Sequence, residues 1–152
     1  MIEQIEKRLD TIAVGDLSAG WVFDDVTTAH TCLFCGTDFM AGVIYPMGDT
    51  LYDAEHAVLR HIKESHGDVF ELLLQLGKDR TGVSPVQRDV LRLTYAGLSD
   101  KEIARELGGK SPSTVRNHQF QLRKRRREAK IFLALMDLLE EGGQNGQQFV
   151  EF

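Results

Sequence analysis

The spacing of apolar residues along this chain changes several times, and each change marks an element. Ile2, Ile5, Leu9 and Ile12 recur at steps of three and four among charged residues, which predicts an amphipathic helix over residues 1–14. Such a helix packs on its own body or pairs with a second chain. Residues 15–20 interrupt the period. Two short extended pieces follow at 21–23 and 27–29, and a further extended run at 42–45 is closed by a turn through Pro46 and Gly48. A helix from about Asp53 carries His56, His61 and His66. Residues 68–77 hold Val69, Phe70, Leu72, Leu73, Leu74 and Leu76, the composition of a core helix, and 78–83 read as a polar connector.

Three helix starts are then written in capping chemistry. Ser84-Pro85-Val86-Gln87 places Ser at the N-cap, Pro at the first helical position and Gln three residues after the cap. Ser99-Asp100-Lys101-Glu102 is a second capping box, and Ser111-Pro112 repeats the cap-and-proline pair. Gly97 and Gly108-Gly109 are stops. Helices are therefore expected at about 85–96, at 100–107 and from 112 onward. Val90, Ile103, Ala104, Leu107, Val115 and Leu122 supply an inward face, while Ser113, Arg116, Asn117, Phe120 and Arg123 share the opposite face of the third helix. Farther on, residues 131–139 are apolar almost all round, so a helix there must be covered. It continues the third helix or follows a kink, and its cover is the N-terminal helix or the same helix of a second copy. A Gly/Gln-rich linker and tail occupy 142–152, where Phe149-Val150-Glu151-Phe152 reads as the opening of a strand.

A short helix, a glycine turn and a polar second helix make a helix-turn-helix, whose second helix inserts its N-terminal residues into the major groove of double-stranded DNA. Arg donates two hydrogen bonds to guanine and Asn pairs with adenine, so Arg116 and Asn117 are the candidate base readers. Thr114, His118, Arg123 and Lys124 are candidate phosphate contacts. Ser113, Phe120 and Lys101 complete the expected DNA-facing set. Over residues 83–127 the chain resembles the LuxR-type helix-turn-helix family. Val90-Leu91, Gly97-Leu98-Ser99, Lys101-Glu102-Ile103-Ala104, Leu107 and Ser113-Thr114-Val115-Arg116-Asn117-His118 fall at that family's motif positions. The turn Gly108-Gly109-Lys110 is one residue longer than the family's usual turn. The DNA-binding ends of sigma factors are similar over the same residues. The resemblance implies regulation of transcription.

Charge sharpens this picture. Between Lys101 and Lys130 stand ten Lys and Arg against three Glu, a local charge of +7. With the whole chain at −5, the remainder carries −12. A basic segment on an acidic body fits a selective DNA binder better than an indiscriminate one. No apolar run approaches the roughly 20 residues of a membrane helix, and the acidic, amphipathic N-terminus is no signal peptide. Cytoplasmic residence without a membrane partner is the resulting expectation.

The two cysteines form one Cys32-x-x-Cys35, which inside a cell points to metal or redox chemistry. Cys-x-x-Cys on a hairpin followed by His-x4-His on a helix supplies four zinc ligands in ββα order. Helical phase puts His61 beside Val58 and Ile62 on the apolar face and turns His56 away. His66 follows His61 by about 140° of rotation on an ideal helix, and Gly67 lets the helix loosen there. The expected ligands are Cys32, Cys35, His61 and His66, holding one structural zinc per chain; four protein ligands leave no open position. A redox role would want a βαβ context, which is absent from the pattern. Zinc serves as scaffold or, through thiolate oxidation, as a sensor.

The expected fold is mainly α with a small β-hairpin: an N-terminal helix (1–14), a ββα-like zinc module (20–78), the helix-turn-helix (83–127) and a long C-terminal helix (128–141) suited to homodimerisation. The order of CLFCG, GVIYP, HIKESHG, GLSDKEIARELGG, STVRNH and IFLALMDLLEE resembles a group of bacterial transcriptional regulators, mainly from Firmicutes. No paired carboxylates, nucleophile elbow or complete phosphate loop is present, so no enzyme is expected; Gly108-Gly109-Lys110-Ser111 lacks the first glycine of a P-loop and a preceding strand. The competing reading is an adaptor that docks to RNA polymerase through a sigma-like helix-turn-helix.

Overall fold

The computed structural model describes residues 2–144 and divides the chain into two compact units, residues 1–82 and 83–152. The strand opening expected at 149–152 lies outside the described residues.

The first unit begins with α1 (Ile2–Glu6), α2 (Val14–Ala19) and a three-stranded antiparallel sheet, β1 (Trp21–Asp24), β2 (Ala29–Cys32) and β3 (Asp38–Met40), in the order β1-β2-β3. A separate hairpin, β4 (Tyr45–Met47) and β5 (Thr50–Tyr52), precedes α3 (Ala54–Ser65), and α4 (Val69–Leu74) and α5 (Lys78–Thr81) close the unit. The single expected hairpin is thus two small sheets. Trp21 pairs with Cys32, Phe23 with His30 and His30 with Phe39, so these side chains share one face of the larger sheet. Thr31 on the other face donates to Asp38 Oδ1 at 2.6 Å across the strands. α3 buries Ala54, Ala57, Val58 and Ile62 against Ile5, Cys32, Phe34 and Phe39. Arg60 staples β4 and β5 to α3. Its guanidinium lies over the Tyr52 ring and donates to Tyr52 Oη at 2.6 Å and to the Met47 carbonyl at 3.2 Å.

Several local expectations are corrected. The amphipathic helix expected over 1–14 stops at Glu6, because the amides of Arg8, Leu9 and Thr11 bond three residues back and tighten the chain. The expected break at 15–20 is instead α2, in which Ser18 Oγ donates to the Val14 and Gly15 carbonyls. It ends at Gly20, in the left-handed region at φ +84°. Residues 27–28 are turn rather than strand: Asp24 Oδ1 accepts from the Val26 and Thr27 amides and bends the chain before Ala29. The extended run at 42–45 contributes only Tyr45 to a strand, since the Val43 amide turns back to the Met40 carbonyl. Pro46 lies inside β4, and the turn is Gly48-Asp49. The polar connector holds the helical turn α5, where Thr81 Oγ1 donates to the Gly77 carbonyl and Arg80 pairs with Glu6.

The second unit is α6 (Pro85–Tyr95), α7 (Asp100–Glu106) and α8 (Pro112–Gln144). Ser84 with Gln87 and Ser99 with Glu102 form complete reciprocal capping boxes. After α6 the Leu98 amide returns to the Leu93 carbonyl and that of Gly97 to Thr94, a Schellman closure. Val90, Ile103, Ala104 and Val115 are buried together, with Leu93, Leu98 and Leu107 packed around them. Ala104 has little side chain where α7 crosses its neighbours. α8 runs unbroken for 33 residues, about 50 Å, so the C-terminal apolar stretch continues the third helix.

A candidate nucleic-acid interface and a candidate metal centre

The first turns of α8 are organised by Ser111. Its Oγ accepts from the Thr114 amide at 3.3 Å and lies 2.8 Å from Ser113 Oγ and 3.0 Å from Thr114 Oγ1. Val115 is fully buried and Leu122 half-buried, which turns the opposite face outward. Ser113, Arg116, Asn117, Phe120, Arg123 and Lys124 are exposed on α8, Thr114 and His118 are half-buried, and Lys101 is exposed on α7. The sequence-predicted residues therefore lie on and beside one helix in the second unit. Two neighbours escaped the sequence reading. Asp100, at the start of α7, accepts from Gln119 Nε2 at 3.0 Å and lies 3.8 Å from Arg116 Nη1. Lys124 sits 3.7 Å from Glu128. The longer turn is absorbed locally: Gly108 and Gly109 both adopt positive φ, and the Lys110 amide closes back on the Ala104 carbonyl at 2.9 Å.

In the first unit, Cys32 ends β2 and Cys35 lies in the β2–β3 turn. The Gly36 amide donates to the Cys32 carbonyl at 2.8 Å and the Cys32 amide to that of Thr37 at 2.9 Å, folding the Cys-x-x-Cys into a knuckle. Burial dominates at Cys32 and pushes its thiol up. At Cys35 burial pushes the same way, but the Thr37 hydroxyl, 3.1 Å away, together with the Thr37 amide and Cys32, holds its thiol below the ordinary value.

His61 and His66 reach this knuckle from α3 and its end. α3 stops at Ser65, and both the His66 and Gly67 amides fold back onto the Ile62 carbonyl, with Gly67 at φ +94°. That unwinding brings His66 round to His61, ring centroids 5.1 Å apart. One ligand atom each from Cys32, Cys35, His61 and His66 lies within 4.8 Å of every other. His61 Nε2 is 3.2 Å from Cys35 Sγ, while its Nδ1 faces Ser65 Oγ at 3.4 Å. Two ligands of one tetrahedral zinc would stand about 3.6 Å apart, from Zn–S and Zn–N bond lengths. Burial, then the neighbouring His66, lowers the pKa of His61 and favours the neutral imidazole that a metal requires. His66 Nε2 is buried without a hydrogen-bond partner. A buried, unpartnered ring nitrogen on one of these four residues suits a metal ligand. The residues present fit a Cys2His2 metal site.

His56 stays outside this cluster, exposed and 2.7 Å from Asp53, the N-cap of α3. His30 also stays out, packed at a tilt against Trp21 and Phe23, ring centroids 4.9 and 4.8 Å away. Thr37 and Ser65, two hydroxyls beside the cluster, were missed; Thr37 follows Cys35 by two residues and Ser65 directly precedes His66, which was the available signal.

No described helix is long and apolar enough to cross a membrane. No curated protein and no solved structure matches the chain. Residues 82–125 match the family model of bacterial regulatory proteins, luxR family. That family comprises DNA-binding regulators and not enzymes, so the second unit carries a LuxR-type helix-turn-helix, the DNA-binding domain of a transcription regulator.

Proposed function

We propose that the chain is a sequence-specific cytoplasmic transcription regulator that binds double-stranded DNA with the first turns of α8 in the major groove. The observation that carries this reading is the exposed polar and basic face of α8, raised on a three-helix unit whose α6 and α7 begin in complete capping boxes. Arg116 and Asn117 read base edges, and Phe120 offers an apolar contact to a thymine methyl. Ser113, Thr114, His118, Arg123, Lys124 and Lys101 position the helix on phosphates. One zinc, held by Cys32, Cys35, His61 and His66, gives the first unit structural stability with no open coordination position. Seven large apolar residues between Ile131 and Leu139 are 40 to 68 % exposed on α8, which supports a homodimer formed through this part of the helix. The likeness of the motif order to Firmicutes regulators fits the same reading.

The test is selection of fragmented genomic DNA on the purified, metal-replete chain at near-physiological salt. Enrichment of a few sites sharing a two-fold-symmetric sequence is the expected result. Arg123→Ala should flatten the log–log salt dependence by about 0.9 for each lost phosphate contact, whereas Arg116→Ala should also relax base preference. Uniform or absent retention refutes the reading and favours the adaptor that docks to RNA polymerase.

A further inference from the structure

Asp100 opens α7 and turns both carboxylate oxygens toward α8. Oδ1 accepts from Gln119 Nε2 at 3.0 Å, and Oδ2 lies 3.8 Å from Arg116 Nη1. Arg116 and Gln119 are three residues apart on α8 and so share one face of the helix, where a single carboxylate meets both. The capping box of α7 is already complete with Ser99 and Glu102, and the cap does not need this side chain. An acid in the first turn suits the helix dipole, but that does not explain its reach to α8. Nor does the charge suit a face that meets DNA: Lys101, Arg123 and Lys124 are exposed nearby in sequence or on the same helix, and phosphates would repel a carboxylate among them.

We propose that Asp100 is a positioning residue for base reading: it holds the Arg116 guanidinium beside α7 until a guanine takes its place. This rests on α8 being the recognition helix. The Arg116 side chain is 61 % exposed, so the ion pair contributes little to folding. Its effect is on competition. On a wrong sequence Arg116 stays with Asp100 instead of swinging to a phosphate, and nonspecific binding gains one cation fewer. On the right sequence two hydrogen bonds to guanine outweigh a single longer ion contact. Specificity is a difference of affinities, and Asp100 lowers the unwanted one.

The decisive variant is Asp100→Asn, which keeps an oxygen to accept from Gln119 and removes the charge facing Arg116. Affinity of the full chain is measured for its selected site, for that site with the guanine replaced, and for unrelated DNA, over a range of salt. D100N is expected to lower the ratio between the first two by roughly two- to fivefold, the scale of an exposed ion pair, and to steepen the salt slope on unrelated DNA by about 0.9 as Arg116 gains a phosphate. In an Arg116→Ala background D100N should leave the discrimination ratio unchanged, since discrimination acts through one guanidinium, whereas relief of phosphate repulsion acts on all three DNAs alike. Gln119→Ala cuts the 3.0 Å bond but leaves the charge, and should retain discrimination. Unchanged discrimination and slope in D100N, a change in discrimination that persists without Arg116, or an equal loss in Q119A each overturns the assignment. A wild-type chain with no preferred sequence refutes DNA reading itself, a different failure from any of these.

Discussion

Gly20 sits where the chain leaves α2 for β1, at φ +84°, and the core closes directly over it. A Cβ built there meets Phe34 Cε2 and Val69 Cγ2 at 3.0 Å and Ile62 Cδ1 at 3.3 Å. Gly20→Ala therefore adds two costs. An L-residue in the left-handed region loses about 1–2 kcal/mol, and overpacking a filled core typically costs about 1–3 kcal/mol. The expected loss is about 2–5 kcal/mol for the first unit. The two terms can be separated with Gly42→Ala, because Gly42 has φ +81° and nothing within 4 Å of the added Cβ. Gly42→Ala should lose only the backbone strain. Trp21, the one tryptophan, adjoins Gly20 and packs against this core, so its fluorescence in a urea titration reports the first unit. With a slope of about 1–3 kcal/mol per molar urea, G20A should move the midpoint down by about 1 M or more, and G42A by visibly less. The same midpoint for both variants would refute the contact argument. A G20A protein within about 0.5 kcal/mol of wild type, the scale of a neutral surface substitution, would refute the packing of Phe34 and Ile62 over this turn.

Three further outcomes follow from the same geometry. Purified chain should carry one zinc by elemental analysis, lose it with Cys32→Ser but not His56→Ala, and melt lower after chelation, by about 2.7 kcal/mol of lost linkage if zinc had stood at a hundred times its Kd. At the start of α3, the His56 amide and then its ring lower the pKa of Asp53, and the Asp53 hydrogen bond raises that of His56. The Asp53 contribution is present above its ordinary value of 3.8 and lost as pH falls through its lowered value; that of His56 is present below 6.5 and lost as pH rises through its raised value. Thermal melts of wild type against His56→Ala should then differ most between pH 4 and 6.5, and a difference that grows at alkaline pH would contradict the pairing. Leu138→Glu, at a position 63 % exposed on α8, should shift sedimentation of the proposed dimer toward monomer and leave zinc content unchanged; an unaltered sedimentation coefficient would move the dimer contact elsewhere.

What the sequence made legible divides by the range of the physics involved. The starts of α6, α7 and α8 are set by side chains bonding backbone within three residues, and Ser84, Ser99 and Ser111 each sit where that local chemistry puts them. Helical phase likewise separated His61 from His56, since both ride one regular helix, and the unwinding at Gly67 accounted for His66. The small sheets were less legible because their pairing is tertiary. β4 contains Pro46 and is only three residues long, so no alternation could announce it; it is held by Arg60, eight residues beyond β5, reaching back to Tyr52 and Met47. α2 was masked by Gly15 and Gly20, of which only Gly20 ends anything. Asp100 was hidden for the opposite reason. It fell inside a capping box whose local explanation was sufficient, and its second engagement, with Gln119 and Arg116, appears only when α7 and α8 are folded together. A residue that satisfies a local rule can still be placed there by a distant partner, and in this unit the distant partner is the arginine on the face proposed to read DNA.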